Sequence, residues 1–414
     1  MVSPFQKYFQ KSEKRISFAG VTLPEEVVYL DYASSTPVDS RVLEAMMPWF
    51  QELCGNPAAR LHPMGEMSEH GLAWARGVLA SACNAKFDEV YFTSSATESN
   101  NLVIRGLLNS PKCKRHKIVV SAIEHSSILS TVKELENIKP NLEIAVLPVD
   151  SEGQINIESA TQIIDEKTLC VCVIDVNNET GAKQNNLEKL VRHSHDVGAL
   201  VHVDSSQGFV RSQEFSLQTL DYDTATLSST KVYGPKGASA LIVRKRSPKI
   251  RLEPEQTGGG HEFGMRSGTP NLPAIIGFAK AVELQNAERA ERIKHYENLE
   301  NKFLQCLKSK IDFKVYSNSQ RVPGILTLSI QNVNAMKLIE NAKTVCVSVG
   351  SACKTLQATS SHVLEAMGVP LDEALMAFRV SIGLPNSEQD VVKAAEILAE
   401  EAKRLLQESA ILTN

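Results

Sequence analysis

The middle of the chain alternates two kinds of hydrophobic pattern. The runs "EVYFTSS", "HKIVVSAI", "LEIAVLP", "LCVCVIDV", "ALVHVDSS", "DTATLSS" and "SALIVRK" are short, apolar and rich in β-branched residues, and they read as strands. Between them, "SSILSTVKELENI", "IESATQIIDEK" and "NNLEKLVRHSHDVG" place apolar residues on one helical face. Strands alternating with helices predict a mainly parallel sheet covered on both faces, with ligands beyond the carboxyl ends of the strands. After about residue 285 the pattern changes. The charged stretch "AVELQNAERAERIKHYENLENKFLQCLKSKI" reads as a long helix connecting to a second α/β unit, which runs through "GILTLSIQ", "VCVSVG" and "MAFRVSIG" to a C-terminal helix. We therefore expect a large domain over 39–288 and a smaller one built from 1–38 and 289–414, since 414 residues exceed what one core serves.

Composition narrows the function classes. The chain is 43% hydrophobic and 22% charged, with a net charge of −4, so neither nucleic-acid nor membrane-surface binding is indicated. No apolar run reaches the roughly 18 residues of a bilayer span. The start "MVSPFQKYFQKSEKRISF" lacks a signal peptide's apolar region. Its Lys7, Lys11, Lys14 and Arg15 against Glu13 leave open a presequence or a structural arm over residues 1–26. Eight cysteines without a C-x-x-C pair argue against a zinc ribbon, no metal site is expected, and a reducing, cytoplasmic setting fits best. Cys170 and Cys172 alternate along one strand and read as packing residues; Cys346, in "TVCVSVG", reads the same way.

Polar residues gather where strands end. "VHVDSSQG" puts Asp204 after a buried run with Gln207 three residues on, and a buried carboxylate is costly unless paired. "TSSATESNN" runs from a strand into a helix start, where free amides suit a phosphate, although a simple cap explains it equally. His125 follows "AIE", and Asn177 and Asn178 follow "IDV". Lys231 stands between the hydroxyls of Ser228, Ser229 and Thr230 and a turn at Gly234, Pro235 and Gly237. Each signal alone has an ordinary explanation: a cap, a turn, a solvated lysine. Together they supply a phosphate cradle, a buried acid, an aromatic base and an amine, the set that holds pyridoxal phosphate as an electron sink.

In order and spacing, "GNPAARLHPMG", "FTSSATESNN", "EHSSIL", "VNNETG", "HVDSSQ", "TKVYGPKG", "GGGHEFGMRSGT" and "VGSACKT" resemble the cysteine desulfurases of the NifS and IscS type, fold-type I, class V pyridoxal-phosphate enzymes. The resemblance runs from Tyr29 nearly to the C-terminus. It implies Lys231 as the Schiff-base lysine, Asp204 as partner of the pyridine nitrogen and Gln207 as a contact to the ring hydroxyl. His125 would stack on the ring with an acid–base role. Ala96, Thr97, Ser228 and Thr230 would meet the phosphate, and Thr269 the phosphate of the other subunit of a homodimer. Asn178 and Arg379 would bind the substrate L-cysteine, the guanidinium taking its carboxylate. Cys353, in a stretch of small polar residues suited to a mobile loop, would take the sulfur as a persulfide and pass it to an acceptor protein for iron–sulfur cluster, thio-cofactor or tRNA synthesis.

Two departures stand out. The family usually has histidine immediately before the lysine, and here it is Thr230. The chain also ends soon after its last helix, in "LLQESAILTN", whereas IscS-type members carry a longer tail that helps bind the scaffold protein. A selenocysteine lyase or another class V enzyme is the alternative within enzymes. A weakened paralogue acting as a binding or sulfur-relay subunit is the alternative outside them.

Overall fold

One sheet of seven strands gathers the apolar runs of the first 243 residues in the computed structural model, which describes residues 3–9, 16–24, 26–316, 320–350 and 360–412. The strands are β1 (Val90–Thr93), β2 (Lys117–Ser121), β3 (Glu143–Leu147), β4 (Thr168–Ile174), β5 (Leu200–Asp204), β6 (Thr224–Ser228) and β7 (Ser239–Val243). Their order across the sheet is β1-β7-β6-β5-β4-β2-β3. Every pairing from β6 to β3 is parallel, and β7 runs antiparallel to both β6 and β1. Two reversals cancel, so β1 points the same way as the parallel five. Parallel strands need crossovers, and crossovers cover both faces, which is why β2, β6 and β7 are buried at every position. Only β3, at the sheet edge, is largely open to solvent.

The helices that matter here are α1 (Pro63–Ala82), α2 (Ala96–Asn109), α3 (Ser126–Ile138), α4 (Leu187–Asp196), α5 (Leu272–Lys308) and α6 (Glu388–Leu412). Helix α3 matches the expected segment end to end, and α4 differs by a residue or two. Helix α1 packs through small residues: a Cβ at Gly71 would stand 2.2 Å from the Trp49 ring. Helix α5 begins nine residues before the charged stretch that announced it, at Leu272 against Ala281. Asn271 caps it, Pro273 sits in its first turn, and nearly all of 272–282 is buried. A helix start with no polar face shows no period.

Two further strands, β8 (Ile325–Ser329) and β9 (Ala377–Ser381), pair antiparallel and pack with α6 around Leu326, Leu328, Phe378, Val380 and Leu398. Val345–Cys346 pairs with Val28–Tyr29, which ties the N-terminal segment to this unit. Cys346 itself is half-buried and not a core residue: its strand is only two residues long, so its alternation ends too soon to seal one face. Cys170 and Cys172 are buried as expected. Helix α5 serves both cores, with Ile275, Phe278 and Val282 in the first and Tyr296, Phe303 and Leu307 in the second, and the expected division at 288–289 falls inside it. Among the described residues no helix is long and apolar enough to cross a membrane.

A buried ion pair fixes the segment that follows β7. Arg76 on α1 grips Glu262 through two 2.8 Å hydrogen bonds, and Glu262 also accepts from the Phe92 amide of β1 at 2.8 Å. Both side chains are at most 4% exposed. Removing one partner strands a charge in low dielectric, so Arg76→Met should lower unfolding stability by about 3–5 kcal/mol. The Arg76→Met/Glu262→Met double variant should recover much of that loss. Urea unfolding of the three proteins checks it, and strict additivity would show the pair to be uncoupled.

Candidate active site

Because six strands point one way, their carboxyl ends bring separate loops to one edge of the sheet. The loop after β2 carries Glu124 and His125, that after β4 carries Asn178 and Glu179, and that after β6 carries Lys231. With Arg379, contributed by β9 of the smaller unit, and His362, all of these except the fully buried Glu124 line a cavity of about 420 Å³. Lys231 closes a single 3-10 turn, Ser229–Lys231. The turn is held by Thr36, whose amide and hydroxyl both donate to the Thr230 carbonyl, and by Gly234, where a Cβ would meet the Ser229 hydroxyl at 2.3 Å. Lys231 Nζ donates to the Ser34 carbonyl at 2.6 Å.

Arg379 is 2% exposed. Its Nη2 donates to Asp31 and to the Ser34 hydroxyl, each at 2.6 Å, and its Nη1 to the Asn178 carbonyl at 3.0 Å. Its Nε is buried without a partner among the described residues. Two of the five N–H donors of the guanidinium, that of Nε and the second of Nη1, are thus unassigned among the described residues. Asn177, rather than Asn178, holds the preceding turn by accepting from the Glu179 and Thr180 amides.

Asp204 ends β5 and is 3% exposed. It accepts from the Asn100 amide at 2.9 Å and from Ser206 at 3.1 and 2.6 Å; neither partner carries a positive charge. A buried carboxylate hydrogen-bonded only to neutral groups suits a cationic N–H such as a protonated pyridine nitrogen. Gln207 donates to the Ala33 carbonyl at 2.9 Å. Ala96 and Thr97 head α2, where backbone amides have no preceding carbonyl, and Ser95 caps the helix by accepting from the Glu98 amide. Ser228 and Thr230 are bonded to each other through their hydroxyls at 3.0 Å. These groups fit pyridoxal phosphate: an acid for the ring, helix amides and hydroxyls for the phosphate, an amine for the aldehyde.

One expected residue stands apart. Thr269 is exposed and lines a different pocket, of about 220 Å³, with Ser94, Gly237 and Arg266. Cys353 lies outside the described residues. Sequence reasoning missed Asp31 and Ser34, which clamp Arg379, and Asn100, which holds Asp204; Asp31 lies in a bridge to Ser381, Ser34 in a turn and Asn100 inside α2, and a polar residue in each place has an ordinary local reading.

Burial dominates the titration of this region. His125 has its proton affinity lowered, chiefly by burial. Glu124 is pushed up to about 8 and Asp175 to about 6, again by burial first, with neighbouring carboxylates adding to it. One oxygen of each has no hydrogen-bond partner among the described residues.

Comparison with known proteins follows this geometry. The model of the family "Aminotransferase class-V" matches residues 28–393. A cysteine desulfurase IscS of Rickettsia peacockii is 37% identical over 388 residues, covering 93% of this chain and 92% of the relative. Among solved structures, a NifS-like protein superposes with a TM-score of 0.83 at 32% identity, covering 90% of this chain and 98% of the other. SspA in complex with cysteine gives a TM-score of 0.74 at 30% identity, with 86% and 98% coverage.

Two outcomes are expected. Unfolded Glu124 loses its proton near 4.3, but folded Glu124 keeps it to about 8, so the folded chain binds more protons between those values. Its contribution to stability therefore falls as pH rises through that window. Glu124→Gln should gain in urea midpoint relative to the parent from pH 5 to 8.5; a constant difference would show that Glu124 does not titrate there. Thr230→Val keeps shape and removes the hydroxyl that bonds Ser228. It should weaken pyridoxal-phosphate binding several-fold, read by equilibrium dialysis, and unchanged affinity would remove the hydroxyl from the site.

Proposed function

The chain belongs to the class-V aminotransferase family, and from that we propose that it is a pyridoxal-phosphate-dependent cysteine desulfurase, which converts L-cysteine to L-alanine and holds the sulfur as a persulfide on Cys353. The observation that carries the reading is the convergence of Lys231, His125, Asn178 and Arg379 on one cavity, with Asp204 buried nearby without a cationic partner among the described residues. The relatives named for this activity and a neighbour solved with cysteine support it.

Pyridoxal phosphate, when bound, supplies an electron sink for charge that develops on the substrate. Asp204 would hold the proton on its ring nitrogen, and Gln207 would face the ring hydroxyl. The amides of Ala96 and Thr97 and the hydroxyls of Ser228 and Thr230 would hold the phosphate. Lys231 Nζ would bind the group covalently and, once displaced by the substrate, take the substrate's α-proton. Arg379 and Asn178 would orient the substrate carboxylate, the guanidinium through the donors that Asp31, Ser34 and the Asn178 carbonyl leave unused. The Cys353 thiolate then attacks the substrate sulfur. An S–S bond forms, the Cβ–S bond breaks, and the electron pair stays with carbon, which takes a proton to give alanine.

Sulfur leaves Cys353 for an acceptor protein serving iron–sulfur cluster or thio-cofactor and tRNA synthesis, in a cytoplasmic homodimer whose Thr269 reaches across to the partner's phosphate. Retained Lys231 and Arg379 weigh against a non-catalytic relay subunit, and assays with cysteine and selenocysteine side by side separate the lyase alternative.

Cys353→Ala should keep pyridoxal phosphate and bind cysteine, yet release no alanine beyond background under dithiothreitol. Normal multiple turnover by this variant would remove Cys353 from the reaction. Borohydride reduction followed by peptide mapping should label Lys231; a label on Lys236 instead would overturn the assignment.

A further inference from the structure

A chain of hydrogen bonds behind the cavity fixes where the protons of two histidines sit. His125 caps α3, and its Nδ1 accepts from the Ser127 backbone amide at 3.1 Å and lies 2.8 Å from the Ser127 hydroxyl. A backbone amide only donates, so Nδ1 carries a lone pair and the ring proton is on Nε2. The Ser127 hydroxyl accepts from Asn100 Nδ2 at 2.9 Å, which leaves its own proton for Nδ1. The second proton of Asn100 Nδ2 goes to Asp204 at 2.9 Å, and a carboxylate there fixes which way the amide faces. Asn100 Oδ1 must then accept, and His202 Nε2 lies 3.0 Å from it. His202 Nδ1 is left to accept from the Thr224 hydroxyl at 2.9 Å. His202 and Asn100 are fully buried, and Ser127 nearly so.

We propose that Asn100 and Ser127 are positioning residues that lock His125 as its Nε2–H tautomer and join it to Asp204 in one hydrogen-bonded unit, so that His125 serves this site as a ring face and hydrogen-bond donor and not as a base. The inference rests on the reading of the cavity as the pyridoxal-phosphate site. A neutral imidazole with its proton on Nε2 has no lone pair to offer on that side. Moving the proton to Nδ1 would set two N–H groups against each other, that of the ring and that of Ser127. The charged groups around His125 do not rescue the cation: Lys231 and His362 oppose it, Asp204 and Glu179 favour it, and burial outweighs them all. The helix start at Ser126 adds a positive dipole end against it. Proton abstraction is thus left to Lys231.

The test reads the nitrogens directly. In full-length protein loaded with pyridoxal phosphate and labelled with 15N-histidine, His125 should show an unprotonated Nδ1 and a protonated Nε2 from pH 6.5 to 8, its signals assigned by their loss in His125→Gln. A protonated Nδ1 in that range would overturn the proposal. Ser127→Ala should leave only the backbone donor on Nδ1 and move the Nδ1 signal toward that of a weakly bonded lone pair, and Ser127→Thr should restore the parent signal; unchanged signals in Ser127→Ala would remove the hydroxyl from the lock. Kinetics give a second arm. A glutamine amide keeps a donor in place of Nε2–H but not the ring face, so kcat should fall in His125→Gln and fall about tenfold further in His125→Ala, which loses the donor as well, the order of one hydrogen bond. If His125 were the base, Gln and Ala variants would both lose about 10²–10⁴-fold. The shifts are read without turnover, which separates this test from that of the desulfurase reading.

Discussion

The common direction of six strands is the constraint on which the rest of this molecule depends. Co-directional neighbours cannot be joined by hairpins, so the chain must cross the sheet between them, and each crossing begins just past a carboxyl end. Polar residues excluded from the strands therefore accumulate at one edge. Glu124 and His125, Asn177 and Asn178, Asp204 and Gln207, and Thr230 and Lys231 are far apart in sequence and share that edge because of strand direction alone. The short antiparallel insertion of β7 does not disturb this, since it turns the chain twice.

That same edge concentrates negative charge where water is scarce. Asp204, Glu124 and Asp175 influence one another, and each is buried. Three ionised carboxylates in one such region would repel strongly. The structure resolves the conflict by dividing roles: Asp204 is served by an amide and by Ser206, whereas Glu124 holds a proton and braces the Ile174 amide at 2.6 Å. A carboxyl that stays neutral can sit between β2 and β4 without adding a charge beside Asp204.

Much of this was legible in the amino-acid sequence, for a physical reason. Short β-branched runs and the amphipathic period of 126–138 reflect burial geometry that is local, so the strands and α3 emerge from pattern. Polar residues at strand ends mark the edge, and the resemblance orders them into roles. What pattern does not carry is contact between distant segments. Asp31 is separated from Arg379 by 348 residues, and no local signal joins them. Asn100 looks like an ordinary helical residue until the fold brings it to Asp204, His202 and Ser127. The start of α5 was hidden because burial on all sides erases the period.

Helix α5 has a consequence for how the molecule comes apart. At 1.5 Å per residue its 37 residues span roughly 55 Å, and successive stretches of the same helix complete two separate cores. Neither core can be cut free without exposing the apolar face that the helix gives it. Opening one frays the support of the other, so unfolding should spread across both as a single cooperative event, and the two units are regions of one folding body more than independent modules.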